Sequence, residues 1–281
     1  MLSLRHAAVV CLLAATSLVL TLGRPAQADL SEAFRLPELF EIMAEEGRAS
    51  VLEEDTPILE GRALRAWQDE VARIYDPAEL ESAFVVQLEH ALAARPSARQ
   101  DALDFARSEL GARIVGLEIS ARAALLDAEI DLAARRRLDI ARGAPAADPD
   151  AQRLEQVRAR IAANDLVDLN VSLGLNTSFA YYTGLLEENE LEGMTAQDLL
   201  ALVWAQEDPI RAEVTDWIES YYFMAFHPLS DSEMDSYITY VATEDAQAFN
   251  TAMFQAFGVV FERVSRQVGR ALGQRMSSEE L

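Results

Sequence analysis

The sequence predicts an all-α protein, a multi-helix bundle built from two related helical halves and preceded by a cleaved signal peptide. Three observations predict it. Apolar residues recur three and four positions apart, while the alternation expected of strands is almost absent. The two halves carry the same succession of helix starts and corner residues. The first 28 residues have the order of a secretory leader.

In that leader, Arg5 and His6 form a short basic region, Ala7 to Leu22 is a 16-residue apolar run, and Ala26-Gln27-Ala28 is a small-x-small cleavage site. The run is shorter than the roughly 20 residues that span a bilayer core. Cleavage after Ala28 is therefore expected, with the periplasm as destination. An acylated Cys11 would leave Leu12 to Leu22 as a new apolar head, which argues against a lipoprotein. No later stretch approaches spanning length, so no transmembrane segment is expected in the mature chain. Two arginines and no acid leave with the leader, taking the formal net charge from −23 to −25. Such a charge excludes nucleic acid and anionic lipid as natural partners, because every cationic contact would have to overcome the field of the whole. Cys11 is the sole cysteine, so the mature chain has no disulfide, thiolate site or cysteine nucleophile and must stand on its core.

The helices follow in order. Leu36, Leu39, Phe40 and Met43 mark a short first helix ended by Gly47, and an acidic stretch around Glu53 and Pro57 follows it. Leu64, Trp67, Val71 and Ile74 form one face of a second helix; Leu80, Phe84, Leu88 and Ala91 form that of a third, which ends before Arg95-Pro96. Leu110, Ile114, Leu117, Ala121, Ala124 and Ala128 stripe a long helix reaching about Arg142, with Arg135, Arg136, Arg137 and Arg142 in its last turns, where cations oppose the helix dipole. Pro145 and Pro149 break the chain, which divides it into a first half (29–143), a linker (144–150) and a second half (151–281). Leu154, Val157 and Ile161 open the second half, and Thr195 is placed to cap a helix running to Gln206. The last helix carries the broadest apolar face, from Ala246 and Phe249 through Phe257 to Val268, which suggests a central position.

The halves match in detail. Asp76-Pro77 and Asp208-Pro209, 132 residues apart, each read as an N-cap acid with proline in the first turn. Ser97 with Gln100 and Ser230 with Glu233 each fit a capping box. Downstream the offset becomes 135, pairing Phe105 with Tyr240, Ser108 with Thr243, Gly111 with Ala246, Ile114 with Phe249 and Ala121 with Ala256. In this corner Ser108 and Thr243 would each stop one helix and cap the next. Gly111 and Ala246 would let a neighbouring backbone come close, while Phe105 and Tyr240 would plug the turn. A serine nucleophile would need a paired His or Lys, and Ser108 has none in its sequence setting. At these residues the chain resembles domain of unknown function family 2059, whose members are exported, all-helical bacterial domains. The resemblance runs from about Trp67 to Asp127 and more weakly from Leu199 to Val264, with Ala246 departing from the family's glycine. It implies a fold and an address, and no catalytic residues.

No catalytic, cofactor or metal set is predicted. His90 and His227 lack the Glu three positions earlier that helical di-iron sites use, and Walker, dinucleotide and calcium-loop patterns are absent. The acids around Glu187 and Glu188 read as a solvated loop. Of 21 aromatic residues, 15 follow the linker. Trp217, Tyr221, Tyr222, Phe223 and Phe226 circle one helix, so either that helix is buried on most sides or Trp217, Tyr221, Tyr222 and Phe226 form a surface for an envelope protein or an apolar ligand. The expected function is a non-enzymatic binding or interaction module of the cell envelope. The alternative is a hydrolase whose acids converge only in the folded chain.

Overall fold

The computed structural model describes residues 25–54, 61–188, 191 and 193–279. The leader through residue 24 and most of the acidic stretch lie outside them, as do Asn189, Glu190 and Glu192. Among the described residues there are thirteen helices and no strand. The first six are α1 (Pro25–Ala33), α2 (Leu36–Glu54), α3 (Gly61–Ile74), α4 (Pro77–Leu92), α5 (Pro96–Arg107) and α6 (Glu109–Ala124). Then come α7 (Ala128–Gly143), α8 (Pro149–Ala162), α9 (Leu166–Glu187), α10 (Ala196–Trp204), α11 (Glu207–Phe226), α12 (Asp231–Val241) and α13 (Glu244–Glu279). None is long and apolar enough to cross a membrane.

Several helix starts follow directly from local chemistry. The Asp76, Asp127 and Asp148 carboxylates accept from the first free N–H groups of α4, α7 and α8, and proline fills the first turn of α4 and α8. Thr195 and Ser230 close full capping boxes with Asp198 and Glu233.

Four local expectations are corrected. Gly47 does not end a helix; α2 runs through it, and a Cβ there would strike the Tyr75 ring, so the glycine admits Tyr75 against the helix. The long helix is two, because the turn at Leu125 to Asp127 lets Asp127 start α7. Ser97 forms no capping box: α5 is preceded by Arg95, and the Ser97 hydroxyl donates to Asp245 instead (2.9 Å). Asp208 is not an N-cap either, since α11 has begun one residue earlier.

The packing of α1 to α6 is echoed by that of α8 to α13. α1 lies on α4 and α5, as α8 lies on α11 and α12. α2 packs on α3, α4 and α6, as α9 packs on α10, α11 and α13. The backbone agrees. Among the described residues, positive φ occurs at Arg35 (49°) between α1 and α2 and at Asp165 (50°) between α8 and α9, then at Gly61 (56°) opening α3 and Gly193 (82°) just before α10. A left-handed non-glycine residue is uncommon, so one at each of two corresponding corners is informative. The halves also pack crosswise, α4 on α13 and α6 on α11, and one apolar core runs through both. The most extensive contact is α9 on α13. There a Cβ added to Gly269 would sit on the Tyr181 carbonyl, and one added to Gly184 on the Arg266 carbonyl, so each glycine admits the other helix's backbone.

Candidate functional site

Two buried charges stand out from this core. Glu118 of α6 is 0% exposed and Arg160 of α8 is 3% exposed. Both line one partly open chamber of about 50 Å³, walled by α5, α6, α8, α12 and α13 with Phe34 at the end of α1. Tyr237 donates its hydroxyl hydrogen to Glu118 Oε1 (3.2 Å), and Tyr221 donates to the Glu118 carbonyl (3.0 Å). Glu118 Oε2 is buried without a hydrogen-bond partner. The Arg160 guanidinium lies over the faces of Tyr237 (5.2 Å) and Tyr222 (5.4 Å). Its Nε and Nη1 are likewise buried without a partner. Burial pushes the Glu118 carboxyl up to about 7, against the opposing pull of Arg160 and the Tyr237 hydrogen bond. Burial alone would disfavour the charge on Arg160, but Tyr237, Tyr222 and Glu118 beside it, with a side-chain hydrogen bond to Tyr237, hold its pKa above the ordinary value, so it stays cationic.

The chamber lies where the two corners meet. Phe105 and Tyr240 stack face to face (3.7 Å between centroids, 8° between planes), and both line it. Ile114 and Phe249, Val115 and Asn250, and Glu118 and Met253 line it too, each pair again 135 residues apart. Ala246 is also in the wall. Ser108 and Thr243 stand behind as helix caps, accepting from Gly111 N (3.0 Å) and Ala246 N (3.3 Å). At Gly111 the close backbone is the corner's own, since a Cβ would strike the Phe105 carbonyl.

The aromatic helix is core and not a surface. Trp217, Tyr221, Tyr222 and Phe226 are all buried, because α11 is enclosed by α6, α7, α8 and α9. Three of them brace the site from behind: Tyr221 through the Glu118 carbonyl, Tyr222 beneath Arg160, and Trp217 beneath Arg122 (5.6 Å). Arg122, one turn beyond Glu118, is held by Glu46 of α2 (3.0 and 3.1 Å from Nε).

The other chemistry-bearing groups stay apart. His90 and His227 are exposed. Arg142 of α7 binds Asp216 (2.7 Å) and Glu219 (2.8 Å) of α11, so the basic helix end is tied to the core helix. Burial would raise the Glu219 pKa, but Arg158 and Arg142 hold it below the usual carboxylate range. Glu187 pairs with Arg266 and, at 3.5 Å, with Arg270, joining the end of α9 to α13. Among the described residues no cluster of His, Cys, Asp and Glu could hold a metal ion.

Glu118 and Arg160 were not singled out from the sequence. The available signal was a charged residue on a core-facing stripe: Glu118 follows Ile114 by four positions, and Arg160 follows Val157 by three. No family model matches the chain, and no match is found among curated proteins or solved structures.

Proposed function

We propose that the protein is an exported, periplasmic binding module without catalytic activity, and that it takes a small polar ligand in the Glu118–Arg160 chamber. The observation that carries the reading is the buried Glu118 carboxyl and Arg160 guanidinium around one cavity, with Glu118 Oε2 and Arg160 Nε and Nη1 unmatched by the protein. Leaving such groups unpaired costs several kcal/mol, on the order of 3–5 for a buried charge, and a ligand that satisfies them recovers that cost. The hydrolase alternative has less support. Glu118 and Glu219, the buried acids among the described residues, line different cavities, and Glu219 is occupied by two arginines.

The address rests on the leader; Asp29 and Leu30, which follow the expected cleavage site, already pair with Arg107 and fill the core. The halves are read as diverged copies, supported by the matching helix contacts, left-handed corners and paired chamber residues. Kinship with the family the corner motif resembles belongs to the same reading. A thermal-shift screen of small metabolites tests the function. Stabilisation that disappears in Arg160→Met supports it, whereas Glu118-dependent turnover in a hydrolase screen overturns it.

A further inference from the structure

Resting on that chamber reading, we infer that the ligand is a short-chain organic carboxylate, with its anionic group between Arg160 and Glu118 and its alkyl tail against Phe34, Phe249 and Met253. The first argument is charge. Arg160 is a buried cation with Nε and Nη1 unmatched, its neighbours being the Tyr237 and Tyr222 phenols and the Glu118 carboxyl, so with Glu118 protonated its complement is an anion with oxygen acceptors. A small amine would satisfy Glu118 but would meet the guanidinium's repulsion.

The second argument is the neighbouring acid. A carboxylate beside a bound anion would repel it, whereas a protonated carboxyl donates a hydrogen bond to it. The polar and charged groups around Glu118 are Arg160 from α8 and Asn164 just after it, Tyr237 and Tyr240 from α12 and Tyr221 and Tyr222 from α11, with Arg122 on its own helix engaged by Glu46 of α2. From α1 and α13 the facing residues are Phe34, Phe249, Asn250 and Met253, none of them titratable. In that setting the proton stays on Glu118 up to about neutral pH, with its pKa pushed to about 7 by burial. The anion then accepts from both Glu118 and Arg160.

The third argument is shape. The half-to-half correspondence pairs Glu118 with Met253 and, at the offset of 130 that relates Arg35 to Asp165, Asn164 with Phe34, and all four line the chamber. The chamber therefore sets Glu118, Arg160 and Asn164 against an apolar wall of Phe34, Phe249 and Met253. A volume of about 50 Å³ is a third of the roughly 150 Å³ that admits benzene, so the tail is two or three carbons and not an aromatic ring.

Calorimetric titration of the purified protein with sodium propionate, at pH 6 and pH 8 and fixed ionic strength, is the test. Propionate is expected to bind at pH 6 and about tenfold more weakly at pH 8, as the protonated share of a group with pKa about 7 falls from roughly nine-tenths to one-tenth. Glu118→Gln, which stays neutral and donates through its amide, should bind at both pH values with no difference between them. Arg160→Met should lose binding; if that variant does not fold, the Glu118→Gln comparison still decides. Binding that is equal at the two pH values in the wild type, or that keeps its pH dependence in Glu118→Gln, overturns the inference. So does binding of ethylammonium in place of propionate. If propionate fails while another small molecule binds in an Arg160-dependent way, the chamber stands and the carboxylate assignment falls. If nothing binds, both fall.

Discussion

Replacing Glu118 by Gln should stabilise the protein at alkaline pH relative to acid pH, and the size of that difference follows from burial. In the unfolded chain Glu118 titrates near its ordinary value of 4.5; in the fold it holds its proton to about 7. Below 4.5 both states carry the proton and the site costs nothing. Between 4.5 and 7 the unfolded chain gains a solvated carboxylate that the fold does not, so stability falls as pH rises. Above 7 the loss is complete. At about 1.4 kcal/mol per pH unit, the interval corresponds to about 3 kcal/mol.

Glutamine removes the titration and keeps a carbonyl oxygen for the Tyr237 hydroxyl. Its buried amide N–H groups introduce a cost of about 1–3 kcal/mol that does not vary with pH. Urea unfolding of both proteins at pH 4.5 and pH 8, in buffers free of small carboxylates, isolates the effect. The stability of Glu118→Gln relative to wild type should rise by about 3 kcal/mol between the two conditions. Exposed and ion-paired carboxylates such as Glu219 are common to both proteins and cancel. A difference that stays flat within about 0.5 kcal/mol, or that moves the other way, refutes the claim that burial holds a proton on Glu118.

Other consequences can be measured separately. Ser108→Ala should lower unfolding free energy by about 0.5–2 kcal/mol, because Gly111 N–H loses its cap; an unchanged urea midpoint would contradict the capping role. Gly269→Ala should cost about 1–3 kcal/mol and loosen α9 from α13, since the new methyl meets the Tyr181 carbonyl; amide exchange in the two helices reads the loosening. Mass analysis of protein recovered from the periplasm should find Asp29 at its N-terminus, and a retained leader would remove the assigned address.

Much of the fold was legible because helix starts are local. Asp76, Asp148, Thr195 and Ser230 each act through a hydrogen bond within three residues, and the caps formed. Where a cap competed with a tertiary partner, as Ser97 does with Asp245, the local reading failed. α9 had escaped notice for a different reason. Residues on several sides of it are buried against α8, α10, α11 and α13, so its sequence carries no single apolar face. The candidate site was hidden by distance: Glu118 and Arg160 stand 42 positions apart, and their meeting depends on how α6 and α8 are placed by the rest of the core.

The crosswise placement of α4 on α13 and α6 on α11 has a consequence for the order in which the chain folds. For the exported protein proposed above, which would cross a membrane as a thread, folding must not finish before the tail has passed. Here one side of α4 and α5 remains uncovered until α13 arrives, well over a hundred residues later, and contacts of such long sequence separation form late and slowly. The first half therefore has no complete core of its own to collapse into before the second half is available. Completion of the fold is tied to the arrival of the last helix, as export of an unfolded chain would require.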